Sequence, residues 1–178
     1  MGSIGVGKTT FINEFKKSHP DYEVYGEDAI INSPAFKKLY ESEFNDDFSF
    51  EIAAMKARID MLKNSSPNSI FERSIDDSYS IFGMMKYEQG KITLGQLNEL
   101  KKLYDEGSKI RGNDYKIIFI PNIPIDEQLN RIKQRGRKGE ENISKKYLSD
   151  LNNSYDLFTL CHPKINEQFI STLVDPSI

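Results

Sequence analysis

The sequence has 178 residues, of which 38% are hydrophobic and 29% are charged, and its formal net charge is −3 at pH 7. This composition is typical of one globular domain with a buried core, and it excludes an intrinsically disordered chain. The charge gives no reason to expect a nucleic-acid surface, and without a long apolar run we expect neither a membrane span nor a signal peptide. The single cysteine, Cys161, rules out an internal disulfide. We therefore expect a reducing, cytoplasmic compartment and small-molecule partners.

Hydrophobic periodicity along the chain predicts helices that alternate with short strands. The predicted helices cover residues 8–17, 34–43, 48–63, 74–86, 94–107, 126–135 and 144–160. The predicted strands lie in residues 22–26, 66–73, 115–120 and 168–175. Gly107 is predicted to end the fifth helix. Strands that alternate with helices predict an α/β fold, a parallel sheet with helices on both faces, and we expect a single domain over residues 1–178.

A phosphate-binding loop is the strongest short motif. Residues 2–9, GSIGVGKT, fit the pattern G-x-x-x-x-G-K-[ST]. Its glycines let backbone N–H groups face an anion, Lys8 would reach the transferred phosphate, and the Thr9 hydroxyl would coordinate Mg²⁺. The residues predicted to contact the nucleotide are Gly2, Gly5, Val6, Gly7, Lys8, Thr9 and Thr10. A glycine-rich turn that opens an ordinary helix is the alternative interpretation.

The predicted helix at 48–63 carries charges within its apolar stripe. At about 100° per residue, Glu51, Met55 and Arg58 share one face, whereas Lys56 and Asp60 lie on the opposite face. A charge in an apolar stripe is costly unless it is paired or bound. Glu51 and Arg58 could lie at the edge of the stripe and reach water, or they could form the floor of a pocket for a polar ligand.

Two further segments carry charged residues in positions that suit catalysis. Glu72 and Arg73 close a predicted strand, which places them at the carboxyl edge of the sheet, where ligands bind in open α/β folds. Arg131 and Arg135 share a helical face, and Arg137 follows the helix end. These arginines would suit a lid that neutralises a phosphoryl group during transfer. The alternatives are a strand-end salt bridge and a solvated basic helix end.

Taken in order, these stretches resemble the deoxynucleoside kinase family. GSIGVGKTT is similar to the family's phosphate loop, FERS to its Glu-Arg-Ser signature, and RIKQRGRKGEENISKKYLSDLNNSY to its arginine lid and the following helix. LYESEFNDDFSFE is similar to the segment that joins the sugar-binding tyrosine to the base-reading helix. The resemblance implies a P-loop nucleoside-kinase fold, ATP and Mg²⁺, a deoxynucleoside as the substrate, and a homodimer.

The resemblance also implies a role for each matching position. Glu27 would take the proton of the 5′-hydroxyl, although Asp28 stands where the family usually has proline. Arg73 would hold that base, and Glu72 would help to position Mg²⁺. Tyr40 and Glu140 would bind the sugar 3′-hydroxyl. The lid, residues 131–143, would stabilise the transferring phosphoryl group through its arginines, Arg131, Arg135 and Arg137.

Departures from the family pattern bear on the choice of base. Glu51 stands where the family has a base-pairing glutamine, and an ionised glutamate only accepts hydrogen bonds. Guanine alone among the common bases presents two adjacent donors on its pairing edge, so we hypothesise a preference for deoxyguanosine. Arg58 matches an arginine of the base pocket, and Ser78 replaces a nearby aspartate. Arg58 could therefore pair with Glu51 instead, and the base preference would then be different.

Two alternatives stay open, one from the ends of the sequence and one from the phosphate loop and arginine lid, which nucleoside monophosphate kinases share. The family's first strand should precede Gly2 and its closing helix should follow residue 175, and neither is expected in this sequence. A truncated, catalytically inactive nucleotide-binding relative is therefore one alternative. A nucleoside monophosphate kinase is the other, although Glu27 would repel the phosphate of such an acceptor.

Overall fold

The computed structural model describes residues 1–31, 46–137, 140 and 142–162, apart from the side chains of residues 29 and 31. In chain order its elements are α1 (Lys8–Ser18), β1 (Glu23–Tyr25), α2 (Glu27–Ile31), α3 (Asp47–Asn64), β2 (Ser69–Phe71), a π-helix (Asp77–Gly83), α4 (Met84–Glu88), α5 (Leu94–Arg111), α6 (Ile125–Arg135) and α7 (Lys145–Cys161). The helix predicted at 34–43 and the strand predicted at 168–175 lie outside the described residues. None of the helices in the described ranges combines the length and hydropathy that a membrane span requires.

The chain divides into two compact units, one formed by residues 1–10 together with those from 116 onward, and the other by Phe11–Tyr115. The first unit joins both ends of the described chain. The Met1 amine donates to Ile118 O at 2.6 Å, and Ile120 N–H donates to Met1 O at 2.9 Å. Met1 is thus hydrogen-bonded as one residue of a parallel neighbour would be.

The strand predicted over residues 115–120 is not formed as a regular strand. Ile117 and Phe119 are buried, as expected of an apolar run, but only Ile117 takes part in a strand-type bridge. Met1 forms two backbone hydrogen bonds with this run, which is pairing through a single residue. A β-ladder needs several consecutive residue pairs, and this explains why residues 115–120 do not form the predicted strand.

The second unit contains a two-stranded parallel sheet, in which β1 pairs with β2. Its main apolar cluster lies between α3, α5 and the segment after β2, and its buried members are Met55, Ile59, Ile75, Ile92, Leu97 and Leu100. Within the described ranges the sheet is therefore small and the core is mostly helical, whereas the sequence predicts a larger parallel sheet.

The prediction that Gly107 ends a helix is wrong. α5 continues to Arg111, and Gly112, with φ of 68°, lies at its C-cap. Gly107 is buried inside the helix, where a Cβ atom would lie 3.1 Å from both Ile59 Cγ1 and Ile75 Cδ1. The glycine therefore serves close packing of the helix and not chain reversal, which a glycine pattern alone does not distinguish.

The helix predicted over 74–86 is divided in the structure. A π-helix covers Asp77–Gly83 and passes into α4. Ser74 precedes it and is bonded to two carboxylates: its N–H donates to Asp77 Oδ2 at 2.7 Å, and its hydroxyl donates to Asp76 Oδ2 at 2.9 Å. A π-helical turn changes which side chains share a face, and such turns are frequent at functional sites.

Candidate active site

The carboxyl edge of the small sheet brings two charged segments side by side. In the parallel register Tyr25 lies opposite Phe71, and Glu72 N–H donates to Tyr25 O at 2.9 Å. The residues that follow the two strands are thus neighbours: a Cβ atom at Gly26 would lie 3.7 Å from Glu72 Oε2. The sequence predicted this edge for Glu72 and Arg73, and Glu27, the first residue of α2, lies there too.

Arg73 links two carboxylates at this edge. Its Nε donates to Glu27 Oε1, and its Nη1 lies 3.3 Å from Asp77 Oδ1. The guanidinium also lies over the Phe82 ring, 5.1 Å from its centre. The Arg73 side chain is 5% exposed and that of Glu27 is 23% exposed. Arg73 is therefore held on three sides, while Glu27 keeps some access to solvent.

Asp77 is the buried anchor of this cluster. Burial alone would raise the pKa of Asp77, but the Arg73 and Arg58 guanidinium groups and the Ser74 N–H outweigh it, so the pKa lies below its ordinary value. Although Asp77 is fully buried, these neighbours hold it as a carboxylate, and it pairs with Arg73.

Glu51 is 2% exposed and forms an ion pair with a residue of α4. Lys86 Nζ lies 3.0 Å from Glu51 Oε1 and 2.8 Å from Asp47 Oδ1. The second carboxylate oxygen of Glu51, Oε2, is buried and has no hydrogen-bond partner among the described residues. The interpretation in which Glu51 reaches water at the edge of the stripe is wrong.

Arg58 is also buried, at 7% exposed, and its Nη1 donates to Ser78 Oγ. Its Nε has no hydrogen-bond partner in the described part of the chain. The pairing of Arg58 with Glu51 that the sequence left open is replaced by two separate partnerships. A buried acceptor at Glu51 and a buried donor at Arg58 remain for a polar ligand.

Desolvation dominates the electrostatics of these side chains. Burial raises the pKa of Glu51, and the cations Lys86 and Arg58 counteract part of that rise. Burial lowers the pKa of Arg58, against the pull of Asp77 and Glu51. For Lys86 the balance is opposite: burial alone would lower its pKa, but Glu51 and Asp47 raise it above the ordinary value.

The phosphate loop lies in the first unit, and its three glycines, Gly2, Gly5 and Gly7, have backbone angles that favour glycine. Gly5 has φ of 81°, and a Cβ atom there would lie 3.1 Å from Gln128 O; Gly7 has φ of 107°. Lys8 Nζ donates to Ser3 O at 2.8 Å, and Ser3 Oγ is buried with no hydrogen-bond partner among the described residues. A curved loop with an unsatisfied buried hydroxyl is a fit for phosphate oxygens.

A pair of buried amides supports the loop from behind. Gln128 Nε2 donates to Ile4 O at 3.1 Å, and the side chains of Gln128 and Asn152 exchange hydrogen bonds of 3.0 and 3.3 Å. Gln128 is fully buried. Side chains thus tie the loop to α6 and, through Gln128, to α7.

The other residues of the loop differ in their exposure to solvent. Val6 is buried at 5% exposed, whereas Thr9 and Thr10 are exposed in the first turn of α1. Gly2 has φ of 147° and approaches Ile120 closely, because a Cβ atom there would lie 2.8 Å from Ile120 O.

The arginines of the predicted lid have different partners. Arg131 Nη1 donates to Gly5 O at 3.4 Å, and its Nη2 pairs with Glu127 Oε1 at 2.6 Å. Arg135 Nη2 lies 2.7 Å from both oxygens of Glu140, and Arg137 follows the C-cap of α6. Glu140 is therefore joined to the lid helix. Tyr40, its predicted partner at the sugar, lies outside the described residues.

Sequence reasoning missed Lys86, Asp77 and Gln128. Lys86 has an apolar neighbour on each side, Met85 and Tyr87, which could have marked it as a buried cation. Asp77 is adjacent to Ser78, which the sequence predicted to lie in the base pocket in place of an aspartate. No local pattern marks Gln128, since its partners are distant in sequence.

Comparison with known proteins identifies the family of this chain. Residues 1–172 match the family model described as deoxynucleoside kinase. The chain belongs to the deoxynucleoside kinase family. It is thus a kinase that phosphorylates deoxynucleosides, and ATP as the phosphate donor is consistent with that assignment. The alternatives of a nucleoside monophosphate kinase and of an inactive relative are not favoured.

Individual relatives support the assignment. The chain is 24% identical over 200 residues to deoxycytidine kinase 1 of Xenopus laevis, covering 94% of this chain and 75% of that protein. It is 28% identical over 165 residues to the deoxyadenosine kinase of Dictyostelium discoideum, covering 88% of this chain and 64% of that protein.

A solved structure confirms the fold. The deoxyadenosine kinase of M. mycoides superposes with a TM-score of 0.75 at 23% identity, over 97% of this chain and 96% of the other. At this identity the likeness concerns the α/β fold alone.

Proposed function

We propose that this kinase transfers the γ-phosphate of ATP to the 5′-hydroxyl of a deoxynucleoside and that it prefers deoxyguanosine. The observation that carries the base preference is the buried Glu51 carboxylate with its unpartnered Oε2. The kinase chemistry rests on the Glu27–Arg73 pair and the phosphate loop.

Glu27 is the proposed general base. It is partly exposed, as a group that must meet a substrate hydroxyl has to be, and Arg73 fixes its orientation. The 5′-oxygen forms a bond to the γ-phosphorus, the bond from that phosphorus to the β,γ-bridging oxygen breaks, and the hydroxyl proton passes to Glu27. Asp77 keeps Arg73 in place during this step.

The loop residues are the proposed triphosphate site. Its N–H groups and Lys8 would bind phosphate oxygens, and Arg131, Arg135 and Arg137 would balance charge on the transferring group. Bound Mg²⁺ supplies charge neutralisation at the phosphates, and Thr9 and Glu72 are its proposed protein ligands. In the described ranges no three His, Cys, Asp or Glu side chains cluster as a metal cage. Mg²⁺ often takes only one or two protein ligands together with phosphates and water, so the proposed set suits it.

Guanine matches the hydrogen-bonding groups that Glu51 and Arg58 leave available. Its ring N–H and exocyclic amine can donate to the carboxylate, whose oxygens each accept more than one bond. Its carbonyl can accept from Arg58 Nε, which has no hydrogen-bond partner among the described residues. Adenine and cytosine place an acceptor beside their amine, and that acceptor would face an ionised carboxylate unfavourably. Thymine places carbonyls on both sides of its one donor.

A substrate comparison tests the base preference. We expect kcat/KM for deoxyguanosine to exceed that for the other three deoxynucleosides, and we expect Glu51→Gln to lower this preference about tenfold or more. Glu99→Gln, an exposed change on α5, is the matched control. Activity on thymidine equal to or above that on deoxyguanosine, or a Glu51→Gln variant with unchanged preference, would contradict the proposal.

The proposal extends to the setting of the enzyme. A homodimer and a reducing, cytoplasmic compartment follow from the family resemblance and the single cysteine. The sugar site is proposed to involve Tyr40 and Glu140. Because Glu140 is paired with Arg135, binding of the 3′-hydroxyl there would require Glu140 to share its oxygens between the two.

A further inference from the structure

We propose that Lys86 is a specificity-determining residue: its ammonium group holds Glu51 as a carboxylate and thereby makes Glu51 a reader of donor groups on the nucleobase. This inference rests on the proposed function, since it concerns the same base-reading side chain. The sequence motifs of the site do not include Lys86, whose ammonium group reaches from α4 to Asp47 and Glu51 of α3.

The geometry places Lys86 where a counter-ion would be required. Its Nζ lies 3.0 Å from Glu51 Oε1, 2.8 Å from Asp47 Oδ1 and 3.4 Å from Asp47 O, and it lies 5.3 Å from the centre of the Phe50 ring. The Lys86 side chain is 9% exposed. An ammonium group this buried is retained when anions compensate for its lost hydration, and Glu51 and Asp47 do so.

The contacts of Lys86 are asymmetric in a way that serves recognition. Lys86 occupies Glu51 Oε1, while Glu51 Oε2 is left buried without a partner among the described residues. The two states of Glu51 would present different patterns to a base. The carboxylate only accepts, which suits guanine, whereas the carboxylic acid both donates and accepts, which suits adenine and cytosine.

The charged groups around Glu51 define what else could control its protonation. The charged groups on α3 are Asp47 and Arg58, and the charged group on α4 is Lys86. Behind Arg58 lie Asp77 of the π-helix, Arg73, and Glu27 of α2. The pair that joins α3 to α5, Lys63 with Glu106, lies more than three turns further along α3. Lys86 is therefore the direct ion-pair partner of Glu51 within the described chain.

The direction of the pH effect follows from the environment. Burial raises the pKa of Glu51 and Lys86 opposes that rise. As the pH falls through the Glu51 pKa, the carboxylate becomes an acid and the guanine preference is lost. Without the Lys86 ammonium group, the Glu51 carboxylate must become protonated at a higher pH.

The ratio of kcat/KM for deoxyguanosine to that for deoxyadenosine, measured between pH 5.5 and 8, tests this inference. The ratio cancels pH effects on ATP binding and on the general base, which are common to both substrates. We expect the wild-type ratio to fall as the pH is lowered, and Lys86→Met to move this inflection upward and to lower the ratio at pH 7 about tenfold. Lys86→Arg should keep the wild-type profile, and Glu51→Gln should give a flat one.

Lys56→Met is the matched control, because Lys56 is exposed on the face of α3 opposite to Glu51. A Lys86→Met enzyme with the wild-type ratio and inflection would overturn the inference while leaving the kinase function intact. An enzyme with no activity on any deoxynucleoside would instead overturn the proposed function.

A measurement that needs neither activity nor one particular variant completes the test. The ¹³C chemical shift of the Glu51 carboxyl should titrate at higher pH in Lys86→Met than in the wild type. If Lys86→Met does not fold, Lys86→Gln takes its place, since an amide also lacks the charge. A Glu51 titration that is the same with and without the ammonium group, or a wild-type Glu51 that stays protonated to pH 8, would overturn the inference.

Discussion

At the scale of single residues, the candidate site is a set of buried charges that depend on one another. Arg73 contacts Glu27 and Asp77, and Glu51 is paired with Lys86. Breaking a buried pair leaves a charge without compensation, which costs more than the pair contributes when intact. Single substitutions in this site should therefore affect stability and activity together, and matched controls are needed to separate the two.

Asp77→Asn tests how much the buried Arg73–Asp77 ion pair contributes to stability. Because the pKa of Asp77 is lowered in the folded state, its contribution is complete above about pH 4, the ordinary value for an aspartate, and is lost as the pH falls through the folded value. We expect the variant to lose about 3 kcal/mol of unfolding free energy at pH 7. The difference from the wild type should shrink as the pH approaches 3 in urea titrations.

The exposed Asp60 provides the control for this measurement. Asp60→Asn, on the outer face of α3, should change the unfolding free energy by less than about 0.5 kcal/mol. A wild-type minus Asp77→Asn difference that is small, or that stays constant from pH 7 to pH 3, would show that Asp77 does not act as a buried carboxylate.

At the scale of elements, local signals predicted most helices but not their tertiary partners. α3 and α6 begin and end within two residues of the predicted bounds, and α7 begins after Ser144, whose hydroxyl accepts from Tyr147 N–H. Such caps lie within one turn and can be read from sequence. The internal position of Gly107 and the π-helix depend on packing against distant residues, which periodicity does not encode.

Gly107→Ala tests whether packing or chain reversal accounts for this glycine. In an ordinary helix the change stabilises by about 1 kcal/mol. Here the added methyl would lie 3.1 Å from the fully buried Ile75, so overpacking should reverse the sign and cost about 1–3 kcal/mol. Gly95→Ala, also on α5, meets only Thr93 Oγ1 at 3.8 Å and should be neutral or stabilising. Thermal unfolding that ranks Gly107→Ala as the more stable variant would contradict this account.

At the scale of the whole molecule, the phosphate loop belongs to a unit built from both ends of the described chain. Its supports are the Met1 bonds to Ile118 and Ile120 and the Gln128 bond to Ile4. The loop motif was readable from eight residues, whereas these supports join residues more than one hundred positions apart. Ligand binding at the loop should stabilise that long-range arrangement.

A thermal shift with ATP and Mg²⁺ tests this link. A ligand at one hundred times its Kd stabilises the folded state by about 2.7 kcal/mol, so the melting temperature should rise by several degrees. Lys8→Met should remove most of the shift, whereas Lys17→Met, exposed at the end of α1, should retain it. An equal shift in both variants would mean that ATP binds elsewhere.

The central claim is that a deoxynucleoside, and not its monophosphate, accepts the phosphoryl group at the 5′-oxygen. The most direct measurement offers γ-labelled ATP with Mg²⁺ to the purified chain together with equal amounts of deoxyguanosine and dGMP, and identifies the labelled products. We expect labelled dGMP in the wild type and a loss of about 10²-fold or more in Glu27→Gln. Labelled dGDP as the main first product, or hydrolysis of ATP with no labelled nucleotide, would contradict the account.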